Sequence, residues 1–462
     1  MELDPADQDL EGLVNDRRFD IAIVGGGPAG AAAALALRAH DPRRSVVVIE
    51  ASTHETERVG ETLHPSARPL LERLGVLDAF VAQRHREAAG TVSAWGGAAL
   101  GGDDFITSVF GRGFHLDRCR FDAMLIEKAE SRGAIVWMGT RLASIDRTGA
   151  GFQLDLRDVA GEPDQVEASF VIDATGRRAR IANRFGARRI LFDHLVGAFV
   201  FFDVDDGSFR DTRTLVEAVE EGWCYSARLP GSGAVAALMT DGDIAGRLRL
   251  REPEAWCAAL AAAPHTRKRL ASARARGAPE IHPAGSGALD RAVGEGWIAV
   301  GDAALSLDPL SGQGIIKALH HGVLAAYAAS DHLAGKPGVL ERYGARVEAE
   351  IDGYLEARET HYRREQRFPG SSFWRRRQPQ LQISPTARLA ADEGAAGMAS
   401  SLPMHLASAD LEHLASLCEG GLVAHEVVAA FRRGRAVGSD RRIILALQYL
   451  VDESVVRLAQ AG

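Results

Sequence analysis

Along the chain, the alternation of apolar and polar positions first resolves into strand, turn, helix and strand between Phe19 and Glu50. The run Ile21 to Val24 is continuously apolar, as in a strand covered on both faces. It enters Gly25-x-Gly27-x-x-Gly30, and the small residues from Ala31 to Leu37 suit a helix packed close to a sheet. Val46 to Ile49 read as a second buried strand that ends in an acid, Glu50. The loop Val59-Gly60-Glu61-Thr62-Leu63-His64-Pro65 precedes a helix-like stretch with Leu70, Leu71, Leu74 and Leu77. Residues 91–115 read as short strands with glycine turns, a ribbon of the kind that covers a pocket. A helix starts near Asp117, with a buried spacing at Phe121, Leu125 and Ala129. Strands follow over 134–145, 151–157 and 166–172. The last ends in Asp173-Ala174-Thr175-Gly176 and returns the chain to the sheet begun at the N-terminus.

The pattern then changes. Strands over 195–204, 213–218, 222–229 and 234–240, followed by a helical segment over 252–275, predict an antiparallel sheet laid over the first domain. Trp297 to Val300 is another buried strand, ending in Gly301-Asp302, so the first domain is discontinuous. Asp308-Pro309-Leu310-Ser311-Gly312-Gln313-Gly314-Ile315 opens a helix that runs to about residue 334. A long charged helix over 338–367 leads into Phe373-Trp374-Arg375-Arg376-Arg377, read as a dock for an acidic partner or as a solvated helix end. Residues 1–17 read as a loose arm. The expected boundaries are 18–180 and 276–345 for the discontinuous domain, 181–275 for the second sheet, and 346–462 for the long helix and a small helical module.

The order strand, glycine turn, helix, strand and acid is what a dinucleotide needs. Gly25 allows the tight turn, Gly27 lets a pyrophosphate approach the backbone, Gly30 permits close helix packing, and the helix N-terminus faces the phosphates. Glu50 is placed to accept hydrogen bonds from a ribose hydroxyl. At 462 residues, 46% hydrophobic and 25% charged, the chain has the composition of a globular protein of two or three domains. A net charge of -8 disfavours nonspecific attraction to nucleic acid. Cys119, Cys224, Cys257 and Cys418 are widely spaced and form no metal-ligand pattern, which points to a reducing compartment. Met1 to Arg18 lack the basic start and apolar core of a signal peptide, and no apolar run approaches the ~18 residues that span a bilayer. The expectation is a cytoplasmic protein without a membrane partner.

Three separated motifs, Gly25 to Gly30 with Glu50, Arg120-Phe121-Asp122, and Gly301-Asp302 followed by Asp308 to Ile315, occur in order over residues 18–335. Their spacing resembles that of the FAD-dependent monooxygenases of the para-hydroxybenzoate hydroxylase type. The resemblance implies an α/β (α+β) protein. A Rossmann-like FAD-binding domain, discontinuous in sequence, would carry an antiparallel β-sheet substrate domain and a small helical C-terminal module. It implies that Arg120 helps hold the FAD linker, that Asp302 binds ribityl hydroxyls, and that Leu142 contacts adenine through its backbone. Pro309, Gly312, Gln313 and Gly314 would form the turn that offers N–H groups to the pyrimidine edge of the flavin at a helix N-terminus. For Asp302 a turn-forming or capping role is the plain alternative.

Within that superfamily, Val59 to Pro65, the turn Asp173 to Arg178, and Gly222 to Pro230 look most like the tryptophan-halogenase branch. Two departures argue against halogenation. The halogenase pattern Trp-x-Trp-x-Ile-Pro is broken at Trp223-Cys224-Tyr225, and Glu87 falls about where halogenases carry the lysine that handles hypohalous acid. What remains is similar to the flavoproteins that hydroxylate a tryptophan residue of a partner protein during tryptophylquinone cofactor biogenesis, as in the maturation of quinohemoprotein amine dehydrogenase.

On that resemblance one atom of O2 passes to an electron-rich ring through a flavin C4a-hydroperoxide, with electrons from NAD(P)H or a separate flavin reductase. The cofactor carries the hard step, and the protein positions the ring and excludes water. A protein or peptide substrate requires a pocket open to a broad surface. Glu61 and His64, on the loop expected near the flavin, are candidate proton acceptors beside their plain structural readings. Trp223 and Tyr225 share one face of a strand, where they line an indole pocket or belong to the core. The residues leave open a flavin-dependent halogenase, a small-molecule aromatic hydroxylase, an FAD reductase of the geranylgeranyl type, and a non-enzymatic flavin-bound docking protein.

Overall fold

Five parallel strands, dominated by Val, Ile and Ala, set the height at which every loop of the site begins. Arg18–Val24 lies between Val46–Ile49 and Pro163–Asp173, with Ile135–Trp137 and Trp297–Ala299 outside them. Val24 is in register with Ile49 and with Asp173, and Asp173 with Ala299. The residues that follow, from Gly25, Glu50, Ala174 and Val300, therefore leave the sheet along one edge, which is where ligands sit in open α/β sheets. The computed structural model describes residues 17–55, 57–205, 210–378, 383–391, 405–434, 438–452 and 454–458, so the expected N-terminal arm lies almost wholly outside the described residues.

The α/β expectation holds, with local changes. The segment 134–145 is two strands, Ile135–Trp137 and Arg141–Thr148, parted by a turn in which Gly139 takes φ +65°. Arg141–Thr148 and Gly151–Arg157 fold antiparallel onto the first half of Pro163–Asp173. The helix Pro28–His40 packs against Gly314–Leu333 at very close range, because both present small residues. A side chain on Gly322 would place its Cβ 2.3 Å from the carbonyl oxygen of Ala29.

The second sheet runs in the order Arg274–Ala275, Leu195–Asp203, Gly233–Asp241, Gly222–Arg228, Thr214–Val219, Gly90–Ala94 and Gly101–Asp104. It is antiparallel except where Thr214–Val219 meets Gly90–Ala94 in parallel. The first two strands of the ribbon are thus part of this sheet. In place of one helical segment over 252–275 there are two short helices, Pro253–Ala259 and Pro264–Arg269, each opened by proline, followed by a strand.

The boundary expected at 345/346 falls inside the helix Val339–Tyr362. Its Val339, Tyr343, Val347 and Ile351 are buried in the main core, so the long helix belongs to the first domain. The C-terminal module, Ser408–Cys418, Ala424–Gly434 and Asp440–Asp452, has its own core of Leu411, Leu414, Phe431, Ile443 and Leu447. It is tied to the long helix by Arg442 on Glu348 at 2.5 Å. The Phe373 to Arg377 cluster is neither an open dock nor a solvated end. Phe373, Trp374 and Arg377 are buried, and Arg377 donates to both oxygens of Asp241 at 3.1 and 2.6 Å. No helix among the described residues is long and apolar enough to cross a membrane.

Replacing Gly322 by valine drives atoms into the Ala29 carbonyl and should cost about 3 kcal/mol. Urea unfolding of the two proteins checks it, and an unchanged midpoint would show that the helix pair yields freely.

Candidate active site

A cavity of about 670 Å³ opens where the two sheets meet. Its walls come from the start of the first helix (Gly27 to Ala29), the loop Arg58 to His64, and the turn Ala174 to Arg177. The second sheet contributes Thr91, Thr214, Trp223 and Tyr225, and the segment Val300 to Ala318 closes the remaining side.

The glycine turn takes the form its sequence requires. Gly25 has φ +112°, and a Cβ there would lie 2.1 Å from the carbonyl oxygen of Ala174; one on Gly30 would lie 1.8 Å from that of Gly25. Gly27 faces open space. Across the cavity Pro309 begins a short 3₁₀ turn, Gly312 adopts φ +60°, and Gly314 starts the helix. Pro309, Gly312, Gln313 and Gly314 all line the cavity, as expected, and a Cβ on Gly312 or Gly314 would meet nothing within 4 Å. Two helix N-termini therefore bring unpaired backbone N–H groups to one space, with bare backbone available for close approach. A diphosphate-linked flat ring fits this set.

Asp302 lines the same cavity, in a ring of cations. Its Oδ1 accepts from Lys317 Nζ at 2.7 Å, its Oδ2 lies 3.5 Å from Arg177 Nε, and Arg189 donates to its backbone carbonyl at 2.7 Å. Desolvation alone would raise its pKa; Lys317 and Arg177 outweigh that and hold it below the usual carboxylate range. Asp302 therefore stays ionised and able to accept hydroxyl groups.

Glu50 closes the strand beside the turn, but outside the cavity wall. Its carboxylate accepts from the N–H groups of Gly26 at 2.5 Å and Ser52 at 2.8 Å. Leu142 also lies away from the cavity, with its side chain buried and its carbonyl accepting from Arg180 at 3.0 Å. Arg120 is corrected: its guanidinium donates to the Gln83 carbonyl at 2.6 Å and does not reach the cavity. Asp117 caps the helix Arg118–Glu130, so Arg118 and Asp122, four apart, share the face that looks inward, and Arg120 turns away. Arg118 holds the fully buried Asp122 at 3.0 and 3.2 Å and donates to the carbonyls of Val59 and Gly60 at 3.1 Å, which ties the Glu61 loop to the helix. Neither Arg118, Arg58 nor Arg177 was singled out by sequence; the i,i+4 spacing of Arg118 and Asp122 after a capping aspartate was the available signal.

Glu61 is 2% exposed and lines the cavity. Its Oε2 accepts from the Gly60 N–H at 3.0 Å, while Oε1 has no hydrogen-bond partner. Burial pushes its pKa up to about 7, which the backbone bonds and Arg118 offset only in part. His64 is also in the wall, but its Nδ1 accepts from the Ser66 N–H at 3.2 Å, so the remaining nitrogen of the neutral ring is a donor. That arrangement removes it as a base. Trp223 and Tyr225 both line the cavity while Cys224 packs into the opposite layer, as strand alternation requires. Trp223 Nε1 donates to Tyr362 Oη at 3.1 Å, and the Tyr225 hydroxyl lies 3.1 Å from that of Thr62. Glu87 lies on an outer strand with Arg112 at 3.3 Å, so its position carries no argument about the cavity. No lysine is present in the described wall.

Residues 18–352 match the sequence family described as FAD binding domain. The chain belongs to that family. It is an FAD-dependent oxidoreductase. Among curated relatives, LodB of Marinomonas mediterranea, named as an FAD-dependent oxidoreductase, is 28% identical over 369 residues, covering 78% of this flavoprotein and 96% of LodB. Several others are named as halogenating enzymes, among them a tryptophan 2-halogenase of Chondromyces crocatus and a flavin-dependent halogenase of Armillaria mellea. Among solved structures, the myxobacterial chondrochloren halogenase CndH superposes with a TM-score of 0.73 at 21% identity, covering 96% of this chain and 100% of CndH. The peptidyl tryptophan dihydroxylase QhpG, essential for tryptophylquinone cofactor biogenesis, does so with 0.63 at 23%, covering 94% and 99%. At these identities the superpositions show a shared fold.

Two outcomes test the site. Arg118→Ala should loosen FAD roughly tenfold, as expected for a lost buried charge contact, and Arg120→Ala should leave it unchanged, read by flavin fluorescence on dilution. Glu61 has a folded pKa above its unfolded value, so its ionisation costs stability as pH rises from about 4.5 to 7. Glu61→Gln should therefore match the parent in acid and exceed it by about 3 kcal/mol above pH 7, measured by thermal unfolding across pH.

Proposed function

We propose that this flavoprotein hydroxylates an aromatic ring, and that the ring is a tryptophan side chain of a partner protein. The observation that carries the reading is a buried carboxyl of raised pKa, Glu61, in the wall of a cavity that also presents Trp223 and Tyr225. Adding oxygen to an indole leaves a tetrahedral carbon whose proton must depart before the ring is aromatic again. A carboxylate with an unused oxygen and a pKa near neutrality suits that transfer. The name of QhpG supports the choice of a peptidyl tryptophan, and the length over which LodB matches supports an oxidoreductase of the same overall extent.

FAD, when bound and reduced by NAD(P)H or a flavin reductase, would supply the two electrons with which O2 is cleaved, one atom going to the ring and the other to water. The chain's own part is to hold and to exclude. Gly25, Gly27 and Gly30 would admit the diphosphate to the first helix, and the N–H groups after Gly312 would be available to the ring edge that gains charge on reduction. Asp302 would receive the sugar-alcohol chain. Trp223 and Tyr225 give the indole an apolar wall, and the Thr62 hydroxyl fixes the Tyr225 hydroxyl. Glu61, in the cavity wall, would take the ring proton.

Halogenation is the second reading, favoured by the halogenases among the relatives. Against it stands a wall with a carboxyl and, among its described residues, no lysine to hold a hypohalous acid. FAD-loaded protein, given a reductant, O2 and candidate tryptophan-bearing partners in chloride buffer, decides by mass spectrometry. Addition of oxygen atoms to a tryptophan is expected; a chlorinated indole sinks the proposal.

Because Glu61 acts when ionised, turnover should climb with pH through about 7. Glu61→Gln should retain FAD, lose roughly a hundredfold in turnover and flatten that limb. Equal rates for the two proteins would remove Glu61 from the chemistry.

A further inference from the structure

Strand Gly101–Asp104 is the outer edge of the second sheet. It pairs with Gly90–Ala94 alone, and all four of its residues are exposed. Its outward N–H and C=O groups are therefore a template for another strand. The edge runs straight into the cavity. Thr91, paired with Asp103, lines the cavity, and so does Phe105, the residue after the strand. The Phe105 ring stands edge-on to His64 of the same wall, with centroids 5.0 Å apart.

Beyond Phe105 the ribbon carries an unusual density of bare apolar side chains. Ile106 is 85% exposed, Val109 90% and Phe110 40%, with Leu100 at 48% on the other side of the strand. Scattered surface apolar residues need no explanation, but several within a few residues of Phe105, which lines the cavity, mark a binding surface. The edge is also acidic. Asp103 forms no ion pair among the described residues, and Asp104 reaches only Arg213, at 3.9 Å.

We infer that this edge and ribbon are the docking site for the substrate polypeptide, which adds as an extended strand along Gly101–Asp104. A basic residue of the segment faces Asp103, apolar residues lie on Ile106 and Val109, and the target tryptophan turns in past Phe105. The inference rests on the hydroxylation of a peptidyl tryptophan proposed above and names how that peptide is recognised. Main-chain pairing supplies affinity, and alternate side chains supply selectivity. At about 3.3 Å per residue, a segment paired with Asp104 has its next side chain at the cavity mouth.

The test uses the FAD-loaded full chain and synthetic peptides. The probes are acetyl-Lys-Val-Trp-Val-Lys-amide, its Glu-flanked counterpart, and a Lys-flanked version N-methylated at alternate backbone nitrogens. The Lys peptide should bind about tenfold more tightly than the Glu peptide, with Asp103→Lys reversing the order. N-methylation and the pair Ile106→Asp with Val109→Asp should each weaken it by a similar factor, while flavin absorbance, melting and activity on N-acetyltryptophan amide stay as in the parent.

Binding that ignores both flanking charge and N-methylation overturns the inference. So does a concentration-dependent dimer that Ile106→Asp abolishes, because the ribbon would then belong to a second copy. If the peptides bind as described but gain no oxygen, the hydroxylation reading fails and the docking surface stands. If they gain oxygen with KM unchanged in Asp103→Lys and Ile106→Asp, the docking surface fails and hydroxylation stands.

Discussion

The site depends on a contact between backbones. The carbonyl of Ala174 lies against Gly25, and the carbonyl of Gly25 against Gly30, each so near that a single methyl group at either glycine would overlap it. The contact fixes how far the first helix stands from the return strand. It can do so because Val24, Ile49, Asp173 and Ala299 reach the sheet edge in register. The second helix inherits its position from the first, through Gly322 against Ala29. Three stretches far apart in sequence thus deliver their polar ends to one space without any of them contributing a long loop.

The parts legible in the sequence were those decided locally. Continuous apolar runs, the glycine turn and the breaker-rich segment before Gly314 each carry their structural instruction within a few residues. Arg118 was equally legible, since a capping aspartate sets the phase of the helix behind it; reading Arg120 by resemblance overrode that phase. The pairing of Gly90–Ala94 with Thr214–Val219 was not legible, because a parallel pair joins segments with no common turn. Nor was the burial of Arg377. A basic cluster reads as solvated until its partner is known, and the partner, Asp241, comes from a strand far upstream.

The long helix explains why the turn at Pro309 to Gly314 holds its shape from behind. Asp308 caps that turn by accepting from the Leu310 N–H at 3.0 Å, and it accepts from Tyr362 Oη at 2.8 Å. Tyr362 in turn receives the Trp223 indole N–H. Arg358 lies 2.9 Å from Asp193 and 3.6 Å from Asp308, between two buried acids. A network of this kind is costly when broken and specific when complete. It joins the aromatic wall, the turn and the long helix into one unit, so the two sides of the cavity share a frame.

Two carboxyl groups in this cavity have been pushed in opposite directions by surroundings that differ in one respect. Asp302 is desolvated, but Lys317 and Arg177 reach it, and it stays ionised. Glu61 is desolvated and meets only backbone N–H; the nearby Arg118 is spent on Asp122 and on the carbonyls of Val59 and Gly60. Where environment separates two acids in this way, the ionised one binds and the one near neutrality moves protons. The same division follows from burial and from pairing separately. Asp302 is anchored by Lys317 and Arg177, whereas Glu61 has no cation on its carboxyl and keeps one buried oxygen without a partner.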